Sequence, residues 1–306
     1  KWPFIVIHDF IGIEAASMNP LERIGVRIVN KKWIRPEADL SLFVGSPEDI
    51  PDEPFGFLMP KKREWALKRY QFIGQIVPFM PAELPARNEL KKELGFGREG
   101  PLIICSAGGT AAGSELLKLC GDTSTLLRSS LPDMEMLIVT GPRINPREIT
   151  PSAGSGAPPH GLKTVSFVPD LYRYFAAADL CIVQAGGMTT AELAALRTPF
   201  IYFPLEGHSE QEQHIHGKME REGLGIPMRY SATNPELLSE AVLQNLQYSG
   251  RGRSVLDYPE IHGERKEDFD GAARAAAAVL RCAGWSDTGS RNQPNRAPPG
   301  SPKQLR

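Results

Sequence analysis

Short apolar runs punctuate this chain, and longer segments separate them in which apolar positions recur every three or four residues. The runs are Phe4–Ile7, Asp39–Gly45, Leu102–Ser106, 135–140, 163–168, Leu180–Gln184 and Phe200–Phe203. Helical spacing covers 14–34, Arg87–Leu94, a segment holding Leu116, Leu117 and Leu119, Leu171–Ala178, Ala191–Leu196, Leu237–Leu246 and the alanine-rich Asp268–Cys282. Continuous apolar runs belong to strands buried on both faces, and their alternation with helices predicts an α/β fold with a doubly wound parallel sheet. A proline-rich loop (Pro47, Pro51, Pro54, Pro60), an extended stretch over Gln71–Pro78, and Pro81 and Pro85 interrupt the alternation. They divide the chain into residues 1–85 and 86–285. The proline-rich, weakly apolar 286–306 is expected to be a disordered tail.

Composition narrows the class. The 306 residues suffice for two domains, and 41% hydrophobic with 23% charged residues is a globular balance. A net charge of -1 gives no global field for nucleic acid. No apolar run reaches the roughly 18 residues of a membrane span, and no secretory signal opens the chain. Cys105, Cys120, Cys181 and Cys282 lie in apolar patterns without a CxxC pair, as buried thiols of a reducing, cytoplasmic setting do.

Three segments carry chemistry. After the run Leu180–Gln184 comes Ala185-Gly186-Gly187-Met188-Thr189-Thr190, then a helix containing Glu192 and a second strand after Pro199. Glycines at such a turn let a ligand approach the backbone, and the amides of a helix N-terminus suit a diphosphate. Glu192, one turn in, is placed to accept bonds from a ribose diol. Ser106-Ala107-Gly108-Gly109-Thr110 occupies the same position after another strand. It is neither a P-loop nor a Gly-x-Gly-x-x-Gly dinucleotide fingerprint. Glu206–His216 holds three glutamates and three histidines, but His214 and His216 lie two apart and point to different sides of a helix. No metal site is expected; amides and carboxylates beside a diphosphate suit sugar hydroxyls.

Phe167-Val168-Pro169-Asp170, the unit of Asp179, strand, Gly-Gly-x-x-Thr-x-x-Glu, the Pro199–Pro204 strand and Glu212-Gln213-x-x-His216-Gly217 together resemble the C-terminal domain of glycosyltransferase family 28. The resemblance covers roughly residues 100–250. It extends more loosely upstream, where His8-Asp9-Phe10-Ile11-Gly12 stands in the place of a His-Glu-Gln-Asn-Gly stretch. It implies the GT-B fold, with two Rossmann-like domains facing across a cleft and the donor nucleotide on the second. Residues 1–85 would then be the later part of an acceptor domain and linker, 86–285 the donor domain.

The implied donor contacts are Phe167 and Val168 for the uracil, and Gly108, Gly109 and Thr110 with Gly186, Gly187, Met188, Thr189 and Thr190 beside the diphosphate. Glu192 would hold the ribose, and Glu212 and Gln213 the sugar. The family usually has Asn-Ala where this chain has His216-Gly217. The implied activity is metal-independent transfer of a hexose or N-acetylhexosamine from a UDP-sugar, as co-substrate without a further cofactor, to a hydroxyl of a small-molecule or lipid-linked acceptor. A UDP-GlcNAc 2-epimerase-like isomerase and a non-catalytic nucleotide-sugar-binding fragment are the alternatives. His8, at a strand's carboxyl end, is the candidate base. The expected natural protein is longer, and the first sheet as given should expose an edge. Peripheral membrane contact would use Lys31, Lys32, Trp33, Arg35 and Lys61-Lys62-Arg63-x-Trp65.

Overall fold

The computed structural model describes residues 2–13, 19–33, 38–97, 99–109, 111–149, 160–249 and 269–284. The tail 286–306, Thr110 and Arg35 lie outside them. Two parallel sheets form. In the first, β1 (Ile5–His8), β2 (Leu40–Phe43) and β3 (Gln71–Phe72) pair in sequence order. Helix α1 (Pro20–Trp33) joins β1 to β2, and α2 (Lys62–Leu67) precedes β3. Helix α3 (Arg87–Glu93) then leads into the second sheet.

That sheet contains β4 (Leu102–Ser106), β5 (Glu135–Val139), β6 (Leu162–Val165), β7 (Leu180–Gln184), β8 (Phe200–Phe203) and β9 (Ile226–Pro227). Its spatial order is β6-β5-β4-β7-β8-β9. Helices α4 (Ser114–Leu127), α5 (Leu171–Ala177), α6 (Gly187–Leu196), α7 (His216–Glu222) and α8 (Pro235–Ser249) cover it.

The two-residue period of a strand sorts side chains between the faces. Ile103 and Cys105 of β4, Met136 and Ile138 of β5, Leu180 and Ile182 of β7, and Ile201 and Phe203 of β8 pack with Leu116, Leu117 and Cys120 of α4 and Leu238 and Val242 of α8. Their neighbours Ile104, Leu137, Cys181, Val183, Phe200 and Tyr202 pack oppositely, with Leu90 of α3, Phe175 of α5, Leu193 of α6 and Met219 of α7. A helix layer on each side explains why these strands read as unbroken apolar runs.

One charged anchor fixes the amino edge of this sheet. Lys91 of α3, nearly fully buried, places its Nζ 2.5 Å from Asp179 Oδ2. The same oxygen accepts the Leu102 N–H at 2.8 Å, and Arg87 lies 3.5 Å from the other. Asp179 therefore ties α3 to the first residues of β4 and β7, at the end opposite the glycine turns.

The last helix, α9 (Gly271–Cys282), returns to the first sheet. Ala275 and Ala278 pack on Leu42 and Ile73, so α9, expected within the 86–285 domain, serves the core of the first unit. Its alanine-rich face allows close approach to the sheet. Gly271 donates to the Gln75 carbonyl at 3.0 Å, and a Cβ there would lie 2.5 Å from that oxygen. A polar contact also joins the units: Asp49 accepts from Lys218 Nζ (3.0 Å) and Arg221 (2.8 Å) of α7.

Some elements differ from the sequence reading. The helix expected over 14–34 is described from Pro20, and residues 14–18 lie outside the described set. The strand expected over 163–168 ends at Val165, and the helix after β4 begins at Ser114, behind a 3-10 turn at Ala111–Gly113. As expected, β1 has a neighbour on one edge only among the described strands, with Phe4 and Ile7 about half exposed. The basic run proposed for a membrane surface is built differently. Lys62 and Trp65 are buried, Lys61 pairs with Asp52 at 3.0 Å, and Arg63 donates to the Ile50 carbonyl. The amphipathic turn of α2 points half of this run inward, so it forms no continuous basic face.

Asp179→Ala would leave the Lys91 ammonium buried without its carboxylate. Thermal or urea unfolding is expected to show a loss of about 3–5 kcal/mol. Unchanged stability would refute the anchor.

Candidate functional site

The strand order reverses between β4 and β7. From β4 the chain runs outward through β5 to β6, then crosses back to place β7 on the other free edge of β4 and continues outward through β8 to β9. In an open parallel sheet, such a reversal leaves a crevice at the carboxyl ends of the two strands, because the connecting helices depart to opposite faces. Ser106 pairs in register with Val183. The two glycine turns thus begin on adjacent strands, about 5 Å apart.

Glycine has different causes at different positions around this crevice. Gly141, after β5, has φ +77°, and a Cβ there would stand 2.5 Å from the Gly108 carbonyl oxygen. It is required by backbone geometry and packing. Gly108 has φ +74°, which also favours glycine. Gly109 and Gly186 differ: neither has a positive φ, and a Cβ at either would meet nothing within 4 Å. Nothing among the described residues demands glycine at these two positions. The space they leave is open, as a ligand approaching the backbone would need.

The amides tell the same story. Gly186 is the N-cap of α6, with extended backbone (φ -81°, ψ 138°) and no side chain to cap the helix. The Thr190 N–H bonds back to the Gly186 carbonyl. The first-turn amides of Gly187, Met188 and Thr189 have no intrahelical acceptor, as the geometry of a helix start dictates. They carry the positive end of the helix dipole. Gly113 caps α4 and likewise has no capping side chain. Two neighbouring helix starts therefore present amides suited to an anion.

The surrounding side chains sort into supports and exposed groups. The Thr190 hydroxyl is buried and donates to the carbonyl of Gly186 (3.0 Å). It locks the turn. Met188 is exposed and Thr189 half-buried. Glu192 is half-buried, and desolvation pushes its carboxyl up to about 6. Gln184, at the end of β7, bonds weakly to Gln211 (3.4 Å), whose oxygen also accepts the Leu205 N–H. The side-chain oxygens of Gln184 and Gln213 are buried without hydrogen-bond partners among the described residues.

Residues Glu210–Ile215 form a π-helical turn leading into α7. The turn presents Glu210 and His214 to the cleft, and α7 presents Lys218. Glu212 is exposed and Gln213 half-buried, and neither lines that cleft. His216, where the family usually has Asn, is held by the buried Tyr202, with hydroxyl and Nδ1 2.8 Å apart. Phe167 and Val168 follow β6, two strands from β4. Phe167 is exposed, while Val168 is partly buried in the core.

The first sheet supplies the opposite wall. Asp9, Phe10, Val44 and Asp49 face Gly187, Met188, Ala191 and His214 across a narrow cleft of about 110 Å³. The Phe10 and His214 rings approach to 5.6 Å between centroids. His8 does not line this cleft. Strand alternation turns it into a separate groove with Phe4, Val6 and Trp65, where Nδ1 lies 2.8 Å from the Tyr70 hydroxyl. Burial lowers its pKa, with the nearby Asp9 charge opposing that shift, and pushes Tyr70 up to about 12. The candidate base read from the sequence is thus one residue from the cleft. Asp9, Asp49 and Gln184 are not singled out by sequence reasoning, and His214 is weighed there only as a metal ligand. The signal for Asp9 was its adjacency to His8 at a strand's carboxyl end; the others depend on contacts remote in sequence.

The profile of the glycosyltransferase family 28 C-terminal domain matches residues 103–253. An uncharacterized glycosyltransferase of Methanopyrus kandleri is 27% identical over 90% of the chain, which spans 72% of that protein. A UDP-N-acetylglucosamine–N-acetylmuramyl-(pentapeptide) pyrophosphoryl-undecaprenol N-acetylglucosamine transferase of Mycobacterium sp. (strain JLS) is 27% identical over 70% of the chain and is spanned over 55% of its length. The crystal structure of the glycotransferase of kitacinnamycin superposes with a TM-score of 0.57 at 15% identity, covering 91% of this chain and 70% of that one. The fold is the GT-B fold of glycosyltransferases.

Gly186→Ala is expected to leave the unfolding temperature within a few degrees, because the weaker cap offsets the reduced freedom of the unfolded chain. UDP affinity measured by calorimetry should fall at least about tenfold, equivalent to about 1.4 kcal/mol. Equal affinity would show that the open space serves no ligand. For Glu192, ionisation is needed to accept two ribose bonds, so affinity for UDP-N-acetylglucosamine, whose diphosphate has no terminal monoester to titrate in this range, should rise with pH through about 6 and level off above it. Proton release on binding at low pH should accompany this, and Glu192→Gln should flatten the profile. A flat wild-type profile would contradict the assignment.

Proposed function

We propose, from the match of residues 103–253 to the glycosyltransferase family 28 C-terminal domain, that this chain transfers a hexose or N-acetylhexosamine from a UDP-sugar to an acceptor hydroxyl. The observation that carries the reading is the pair of uncapped helix starts at adjacent crossovers, with Gly109 and Gly186 opening onto free space. A diphosphate bridging the two would meet backbone amides of both.

In this reading Gly108, Gly109, Gly186 and Gly187 approach the diphosphate closely, and the amides of Gly187, Met188 and Thr189 bond its oxygens. Thr190 holds the turn in shape. Glu192 accepts from the ribose hydroxyls, and the backbone after β6, at Phe167 and Val168, meets the uracil. Glu212 and Gln213, which the resemblance assigns to the sugar, belong to the π-helical turn whose Glu210 and His214 line the cleft, although neither lines it directly. As the bond from the anomeric carbon to the β-phosphate breaks, negative charge accumulates on the departing UDP. Fixed amide dipoles stabilise that charge without having to reorganise. The proposed transfer accordingly requires no metal ion.

The acceptor is proposed to be lipid-linked. The name of the mycobacterial relative specifies an undecaprenol-linked acceptor, and the apolar cleft wall of Phe10, Val44, Ile76 and Met188 is compatible with an amphiphilic substrate. Among the described residues no helix is long and apolar enough to cross a membrane. Contact with a bilayer would therefore be peripheral for this part of the molecule, on the cytoplasmic face where UDP-sugars are available.

Calorimetry with UDP and UDP-N-acetylglucosamine is expected to give micromolar affinity, about -8 kcal/mol, unchanged by EDTA. UDP release from UDP-N-acetylglucosamine should accelerate when a lipid-linked saccharide is added. Absence of UDP affinity in folded protein would overturn the donor site. Binding without acceptor-stimulated release would overturn transfer, and epimer formation seen by NMR would identify an isomerase instead.

A further inference from the structure

The donor-site reading leaves open which group removes the acceptor proton. We infer that Asp9 is the catalytic base. The inference rests on the donor site proposed above and on the composition of the facing wall.

The sugar's reacting carbon is attached to the diphosphate, so it projects from the turns of the second sheet into the cleft. The acceptor must approach from the other side, where the first sheet contributes Asp9, Phe10, Val44, Asp49, Gln75 and Ile76. Two carboxylates stand on that wall. Asp49 is occupied: Lys218 lies at 3.0 Å, Arg221 at 2.8 Å, and the Ser46 N–H at 2.9 Å. Three donors hold its electron pairs, and its part is to join the units.

Asp9 is exposed and has no hydrogen bond or ion pair among the described residues. It sits at the carboxyl end of β1, in the same cleft as Gly187 and His214. His8 is ill placed for this role because its imidazole faces the separate groove and Tyr70. Phe10, next in the chain, lies against His214 and keeps this end of β1 close to the π-helical turn. In the step, a carboxylate oxygen of Asp9 takes the proton of the acceptor hydroxyl. The acceptor oxygen bonds to the anomeric carbon, and the electron pair of the breaking carbon–oxygen bond leaves with UDP.

The test uses the intact chain and two probes. In the presence of saturating UDP, the cationic iminosugar 1-deoxynojirimycin mimics charge at the reacting carbon. Wild type should bind it at least about tenfold more tightly than Asp9→Asn, while UDP affinity alone stays equal in both. With a lipid-linked saccharide as acceptor, Asp9→Asn should lower kcat for UDP release from UDP-N-acetylglucosamine by about 10²–10⁴-fold with little change in the donor KM, the range general-base removal produces. Asp9→Glu should recover part of the loss. Equal iminosugar affinity in wild type and Asp9→Asn, no iminosugar binding to wild type, or an undiminished kcat in Asp9→Asn would each overturn the inference. Loss of UDP affinity in wild type itself would instead refute the donor site beneath it.

Discussion

The reversal of strand order between β4 and β7 is the constraint on which the rest of this molecule depends. A sheet wound in one direction would distribute its βα turns along one edge without a crevice. Returning to β4 after β6 places two turns side by side and sends α4 and α6 to opposite faces of the sheet. α6 begins directly at its glycine turn and α4 behind a 3-10 turn, each with a glycine N-cap that offers no capping side chain. The local electrostatics follow from topology more than from any charged side chain.

This arrangement divides the work between the two ends of the sheet. The amino end is closed by charge, with Lys91 and Arg87 gathered on Asp179. Among the described residues the carboxyl end lacks an equivalent side-chain anchor across its two glycine turns. Helix starts without capping side chains are costly to leave unsolvated, which makes them serviceable for a ligand and poor for stability. The units are joined by Val77 and Phe79 packing on Ala195 of α6 and by Asp49 bonding to α7. Both attachments lie beside the cleft, where they fix the wall bearing Asp9 against the wall bearing Gly187.

The second unit was largely legible in the sequence because its strands are buried on both faces. Unbroken apolar runs such as Leu102–Cys105 and Leu180–Val183 admit few other readings, and the glycine turns stand where the strands end. Less legible were elements whose identity depends on distant partners. Lys61–Trp65 reads as a basic surface run, yet Lys62 and Trp65 face inward. Helix α9 reads as part of the unit it follows, but its small residues fit a sheet some 200 residues earlier. The strand period explains the remaining difference: one residue separates His8 from Asp9, and that step turns one side chain into a side groove and the next toward the cleft.

The most direct test of the shared diphosphate site is to follow the backbone amide resonances of Gly109 and Gly187 by NMR during titration with UDP, and separately with uridine. Amides that bond the diphosphate should move strongly in both turns with UDP and little with uridine. Movement confined to one turn, or equal movement with uridine, would contradict a diphosphate held between them.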